Sequence, residues 1–371
     1  MGEIMKVLFT GYAPVHFVCF KPLFDQLRVT PGVDIYLSGG VRTKTEMGTK
    51  YDQQALYGPF DVPSEMLLPV EQIQEMDFDL LFCANTKPIE PRSARHRIQI
   101  FHGMSFRNVA IRSDNVGYDS YFVLGPYMMR GFEQRGLLYY DDPRALKIGY
   151  MKTDPLLNGT LDREALLREF GFSGDRPVVL YAPTGEKHNS MQLMGEEVIA
   201  HLRGARQYDL LIKPHDHPHD GIDWFQRLAP LEDEHVRLVR TLDVIPCLYV
   251  ADLLISDASS VSNEYALLDR PMVFLDVPRL IKAAMKKGSM VDATWGRKGG
   301  IVAPDATGAV YAVAYALASP RLQSPVRRAM VRDLFYNPGH ATEAAMEWLR
   351  STFGLAQPRT EQPVRATLAH I

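Results

Sequence analysis

Short apolar runs recur along the chain at 7–9, 33–37, 80–82, 98–101, 121–124 and 146–148, and again at 178–181, 210–212, 236–239, 253–255 and 272–275. Most of them stop at Gly, Asn, Pro, Asp or Ser. Near-continuous apolar runs suit strands covered on both faces, which is the condition of a parallel sheet. Helix-like stretches lie between them, at 20–27, 162–170 and 196–203. Asp162 reads as an N-cap, and Gly171 stands just past the end of that helix. Strand–helix alternation through both halves predicts an α/β fold of two doubly wound parallel sheets.

A chain of 371 residues is long enough for two domains. The break is expected near 149–157, giving domains 1–150 and 151–340. A helix at 341–356 is expected to pack back on the first domain, and 357–371 reads as a tail. With 41 Lys and Arg against 44 Asp and Glu, the net charge is −3, so a general affinity for nucleic acid is not expected. Cys19, Cys83 and Cys247 are far apart in sequence and form no CxxC motif. They read as buried free thiols in a reducing compartment. The N-terminal apolar run is too short for a signal-peptide core, and no run approaches the ~18 apolar residues of a membrane span. The expectation is a cytoplasmic protein, with a peripheral contact at the inner membrane face left open. Neither a GxGxxG nor a Walker loop occurs, and no cofactor is expected.

Ligands of open parallel sheets bind beyond the carboxyl ends of the strands, so the residues just after each run are the candidates. Gly11 and then His16 follow the first run. His102-Gly103 follows 98–101, Thr184 follows 178–181, Lys213-Pro214-His215 follows 210–212, and Ser256-Asp257-Ala258-Ser259-Ser260 follows 253–255. Ser259 or Ser260 would cap a helix whose free N–H groups could hold a phosphate, or would be an ordinary cap. Glu264, a turn further on, could take a ribose hydroxyl or simply face solvent. His102 could remove a proton near neutral pH, or be a hydrogen-bonded histidine at a strand end. His215, His217 and His219 alternate, as metal ligands on an extended chain would, but no acid stands at a suitable offset. A phosphate-binding His215 is preferred.

The block Leu253-Leu254-Ile255-Ser256-Asp257-Ala258-Ser259-Ser260-Val261, followed by Tyr265-Ala266-Leu267-Leu268-Asp269-Arg270-Pro271 and Val273-Phe274, resembles the signature of the CDP-glycerol glycerophosphotransferases, the teichoic-acid primases and polymerases. Four further pieces resemble elements of that family in the same order. Phe101-His102-Gly103 resembles its Trp-His-Gly element, with Phe in place of Trp. Gly149-Tyr150 with Asp154 resembles its interdomain segment. Val179-Leu180-Tyr181-Ala182-Pro183-Thr184 resembles its Leu-Tyr-Ala-Pro-Thr strand, and Lys213-Pro214-His215 its donor-histidine element. The likeness covers roughly 98–345.

The resemblance implies a GT-B fold, two Rossmann-like domains facing across a cleft, with a CDP-alditol donor held mainly by the C-terminal one. It implies His102 as the base on an acceptor hydroxyl and His215, with Ser259 and Ser260, on the donor pyrophosphate. Glu264 falls near the ribose. Strand-end reading adds Thr184, Lys213, Ser256 and Asp257 to the donor side, and Gly11, His16 and Gly103 to the acceptor side. The expected reaction moves a glycerol-phosphate or similar alditol-phosphate group to a polymer, glycan or lipid-linked hydroxyl, with no metal. Three rivals stay open. One is a nucleotide-sugar glycosyltransferase or UDP-GlcNAc 2-epimerase-like enzyme. Another is a metal-dependent hydrolase built on His215, His217 and His219. The third is a catalytically silent nucleotide-binding protein.

Overall fold

The computed structural model describes residues 4–357 apart from 47, 61, 85–87, 104–110, 112, 114–116, 217 and 287–295. Of the tail expected at 357–371, only residue 357 lies within the described residues. The chain divides into two compact units. Unit 1 is built from the residues up to Asp154 together with the chain from Phe335 on, and unit 2 runs from Pro155 to Leu334.

Unit 1 contains β1 (Met5–Gly11), β2 (Val33–Gly39), β3 (Val41–Thr45), β4 (Gly48–Asp52), β5 (Leu67–Leu68), β6 (Asp77–Cys83), β7 (Ser93–Ile100), β8 (Ser120–Phe122) and β9 (Ala145–Leu146). All but the β3–β4 hairpin join one sheet in the order β5-β2-β1-β6-β7-β8-β9, and each of its ladders is parallel. Unit 2 contains β10 (Val178–Tyr181), β11 (Asp209–Ile212), β12 (Val236–Leu238), β13 (Leu253–Ser256), β14 (Met272–Leu275) and β15 (Ile301–Ala303). Their order is β12-β11-β10-β13-β14-β15, again parallel throughout. In both sheets the order runs outward from the first strand and then reverses. This is the Rossmann arrangement, and its ligands sit beyond the strand ends at the reversal. That point lies between β1 and β6 in unit 1 and between β10 and β13 in unit 2.

The local chemistry explains these elements. β10, β11, β13 and β14 are buried at every residue, as their continuous apolar runs require. Asp162 accepts from the Ala165 N–H at 3.1 Å and so caps the helix Arg163–Glu169. Gly171 follows it at φ +75°. The helix expected at 20–27 begins earlier, at Pro14. Pro14 has no N–H to lose in a first turn and its φ is already helical. The earlier start places His16 in the first turn of that helix. The β3–β4 hairpin was not expected, because Arg42, Thr43, Lys44 and Lys50 are exposed and show no core-facing alternation.

Unit 1 is closed by the C-terminal segment. The Tyr336 N–H bonds Leu124 C=O at 2.7 Å, and Asn337 Nδ2 donates to the carbonyls of Lys147 and Ile148 at 2.8 and 3.0 Å. The helix Ala341–Phe353 then begins against Asp154. The Asp154 carboxylate accepts from the N–H groups of Ala341 at 3.0 Å and Thr342 at 2.7 Å. It thus caps a helix far away in sequence. Further along, Trp348 packs edge-on to Phe122 with ring centroids 5.6 Å apart. Among the described residues no helix is long and apolar enough to cross a membrane.

Candidate functional site

In unit 1 the strand-end residues gather two imidazoles at the sheet reversal. His16 is 3 % exposed, and its ring centroid is 5.0 Å from that of His102. The Tyr12 N–H donates to His16 Nδ1 at 3.2 Å. Nδ1 is therefore an acceptor, and the proton of the neutral ring is on Nε2. Burial first, then His102 and Arg42, hold the His16 pKa well below the ordinary imidazole value.

His102 has the opposite tautomer. Its Nδ1 lies 2.6 Å from the carbonyl oxygen of Ala84, the residue after β6. A carbonyl can only accept, so Nδ1 carries the proton and Nε2 keeps its lone pair. His102 is exposed to solvent, and its ring lies beside that of His16. Burial lowers its pKa and the Lys152 ammonium lowers it further, against the opposing Ala84 bond. Tyr150 Oη donates to the His102 carbonyl at 3.0 Å and fixes the backbone there. The next residue, Gly103, stands at φ +152°, which a side chain would strain. At Gly11 an added Cβ would meet the His16 Cβ at 3.0 Å. Three nearby groups escaped the strand-end reading. Arg42 lies over the Tyr12 ring at 4.6 Å, Lys152 is 8 % exposed beneath His102, and Tyr150 anchors the turn. Arg42 sits in the unexpected hairpin. Lys152 lies inside the 149–154 segment already singled out, one signal that could have found it.

This geometry sets a pH dependence. If His102 serves as a base it must be neutral to act, and because its pKa is lowered protonation would silence it only on the acid side. The acid limb of kcat/KM is expected below the ordinary imidazole value of about 6.5. Lys152→Met should move that limb upward, since a cation that opposes protonation is gone. A limb above about 6.5 in the unaltered protein, or no movement in the variant, would contradict this electrostatic account.

Unit 2 places Thr184, Lys213 and Ser256 at the ends of the three adjacent strands β10, β11 and β13. The register pairs Tyr181 with Ile212 on one side and with Ile255 on the other. The outermost groups here are His215, which is exposed, and Ser259 and Ser260, which are half-buried. Glu264 is 5 % exposed and Lys213 6 %, and the Lys213 ammonium bonds Asp216 Oδ1.

Several strand-end expectations change here. Ser256 is fully buried and its Oγ donates to Ala182 C=O at 2.7 Å, so it ties two strands together and does not face a ligand. Asp257 is also fully buried, and both its oxygens are already engaged by protein donors. Ser260 makes no side-chain cap bond. Ser259 Oγ accepts only a long 3.4 Å bond from the Val261 N–H. The helix Val261–Tyr265 is short, so its dipole is a small term, and the hydroxyls themselves are the stronger asset. Among the described residues no three His, Cys, Asp or Glu side chains gather as a metal-holding group. His219 Nδ1 lies 3.2 Å from Glu186 Oε1, and His217 lies outside the described residues.

Comparison with known proteins agrees with the motifs. Residues 89–292, more than half the chain, match the family model of CDP-glycerol:poly(glycerophosphate) glycerophosphotransferase. The chain is 29% identical over 133 residues to the teichoic acid glycerol-phosphate primase of Bacillus spizizenii, covering 35% of this chain and 33% of that one. It is 27% identical over 152 residues to the teichoic acid poly(glycerol phosphate) polymerase of Staphylococcus epidermidis, covering 38% and 20%. The matches thus span about a third or less of these two relatives' own length. The fold is similar to that of the wall teichoic acid polymerase TagF, with a TM-score of 0.63 and 16% identity over 95% of this chain and 90% of that one. It is also similar to the UDP-GlcNAc 2-epimerase of Neisseria meningitidis, with a TM-score of 0.56 and 12% identity over 94% and 100%. The paired Rossmann sheets are those of the GT-B class, and the chain belongs to the CDP-glycerol:poly(glycerophosphate) glycerophosphotransferase family.

Proposed function

We propose that this protein transfers glycerol phosphate, or a similar alditol phosphate, from a CDP-activated donor to an acceptor hydroxyl. The observation that carries the reading is His102. Its Nδ1–H is committed to the Ala84 carbonyl, its Nε2 lone pair is available, and its pKa is lowered. This is the state a general base needs near neutral pH. The acceptor oxygen attacks the β-phosphorus of the donor, its proton passes to His102 Nε2, the bond from that phosphorus to the bridging oxygen breaks, and CMP leaves. His16 is the weaker base, because its Nδ1 already accepts the Tyr12 N–H and its Nε2 holds the proton. It serves better as a neutral donor on the acceptor side.

The donor pyrophosphate falls to His215, Ser259 and Ser260, whose polar groups remain accessible at the reversal of the unit 2 sheet. Donors aimed at developing charge are often the larger part of such catalysis. Glu264 is assigned to the ribose. The acceptor is a hydroxyl of a polymer, glycan or lipid-linked chain, met in the cytoplasm at the inner membrane face.

Calorimetry with CDP-glycerol, CDP-ribitol and UDP-GlcNAc tests the donor. A CDP-alditol should bind, and Ser259→Ala with Ser260→Ala should weaken it by about 10-fold or more, as loss of hydrogen bonds to a charged group does. Binding of UDP-GlcNAc in preference to both CDP-alditols would overturn the donor assignment. Unchanged CDP affinity in the folded double variant would remove the two serines from the phosphate site.

A further inference from the structure

The buried carboxylate at the reversal of the unit 2 sheet has no role in the chemistry above, yet four protein donors converge on it. Asp257 Oδ1 accepts from the N–H of Thr184 at 2.9 Å and of Ala258 at 2.6 Å. Its Oδ2 accepts from the N–H and the Oγ–H of Ser190, both at 2.9 Å. Ser190 is fully buried too, and its Oγ in turn accepts from Tyr181 Oη at 2.9 Å. One carboxylate therefore grips both ends of the segment from Thr184 to Ser190, just after the central strand β10.

We infer that Asp257 and Ser190 form a positioning pair that holds the Thr184–Ser190 loop on the donor side of unit 2, so that donor affinity depends on two residues that never touch the donor. This rests on the donor assignment proposed above. Several features on that loop depend on the grip. His188 sits at φ +63°, a costly conformation for a residue with a side chain. Glu186 is aimed at His219, and the His219 N–H bonds the Gly185 carbonyl at 2.7 Å. The loop thereby braces the segment that carries His215. Asp257 also occupies the N–H groups of Thr184, Ala258 and Ser190, which are then unable to serve a phosphate. That leaves Ser259 and Ser260, through their hydroxyls and their backbone N–H groups, as the phosphate donors of this turn.

Sequence pattern did not single out Ser190. It stands just before a helical turn wound at the wider π pitch, Met191–Gly195, with no apolar period to mark it. Gly195 belongs to the same packing, since an added Cβ would meet Met191 Sδ and, at 3.2 Å, Tyr181 Oη.

The test compares Ser190→Ala and Asp257→Asn with the unaltered protein by calorimetry with CDP-glycerol, steady-state kinetics and melting curves. Ser190→Ala keeps its backbone N–H on Asp257 and removes only the hydroxyl, so it is the variant chosen to fold. Both variants should bind CDP-glycerol more weakly, with about 10- to 100-fold as the ceiling, because a lost charge-assisted hydrogen bond inside the protein reaches the donor only through the loop. KM for the donor should rise with kcat and the acceptor KM near their unaltered values. A residue that only stabilised the fold would lower the melting temperature and leave donor affinity per folded molecule intact, and that result would overturn the inference. If the unaltered protein itself fails to bind CDP-glycerol, the donor assignment fails first, and the pair's link to a donor falls with it.

Discussion

His102→Ala is expected to lower kcat by about two to four orders of magnitude, the usual weight of a positioned general base. Affinity for CDP-glycerol should be unchanged, because the groups assigned to the donor belong to the other unit. His102→Asn is the sharper control. The asparagine amide N–H stands where His102 Nδ1–H stood and can still donate to the Ala84 carbonyl, so the local backbone keeps its partner while the basic nitrogen is lost. Both variants should therefore show the same loss in single-turnover transfer, and only the alanine should show a lowered melting temperature. Transfer near the unaltered rate in a folded His102→Asn protein would remove His102 as the base. The ring would then be a hydrogen-bonded histidine at a strand end, the other role that its sequence position allowed.

Gly149→Ala is expected to cost about 3–5 kcal/mol in chemical denaturation, from a strained φ and overlap in a packed site. Gly149 stands at φ +102°, and a Cβ there would lie within 2.1 Å of the Tyr336 carbonyl oxygen, closer than any packing can relax. The close approach is what lets the returning segment lie against unit 1. Asp154→Ala, in the same segment, should cost only about 1–2 kcal/mol, as for a lost N-cap. A Gly149→Ala protein as stable as its parent would show that the returning segment does not dock as described.

The alternation of apolar runs and helices made the two sheets legible, because a strand buried on both faces has little freedom in composition. The runs at 178–181 and 253–255 are β10 and β13 with little change of boundary. β15 and the β3–β4 hairpin were not legible, since Ile301–Ala303 is too short to carry a period and the hairpin faces solvent. The place of His102 was legible because it lies just past the end of β7, and the rule that ligands sit beyond strand ends needs no side-chain detail. The same rule misplaced Ser256 and Asp257. It says which residues lie at the edge, and nothing about which way each side chain turns. Ser256 and Asp257 are both fully buried, and Asp257 there meets Ser190 from a loop that no local pattern connects to it.

The return of the chain to unit 1 at Phe335 has a consequence for synthesis. Unit 2, from Pro155 to Leu334, is continuous and can fold as it leaves the ribosome. Unit 1 emerges first but lacks the segment carrying Tyr336, Asn337 and the helix Ala341–Phe353. Until that segment arrives, the Leu124, Lys147 and Ile148 backbone groups lack their partners, Phe122 lacks the Trp348 ring, and the Asp154 carboxylate has no helix to cap. Of the two units, the one that emerges first is therefore completed second, and a ribosome stalled anywhere within unit 2 would display His102 on an incomplete scaffold.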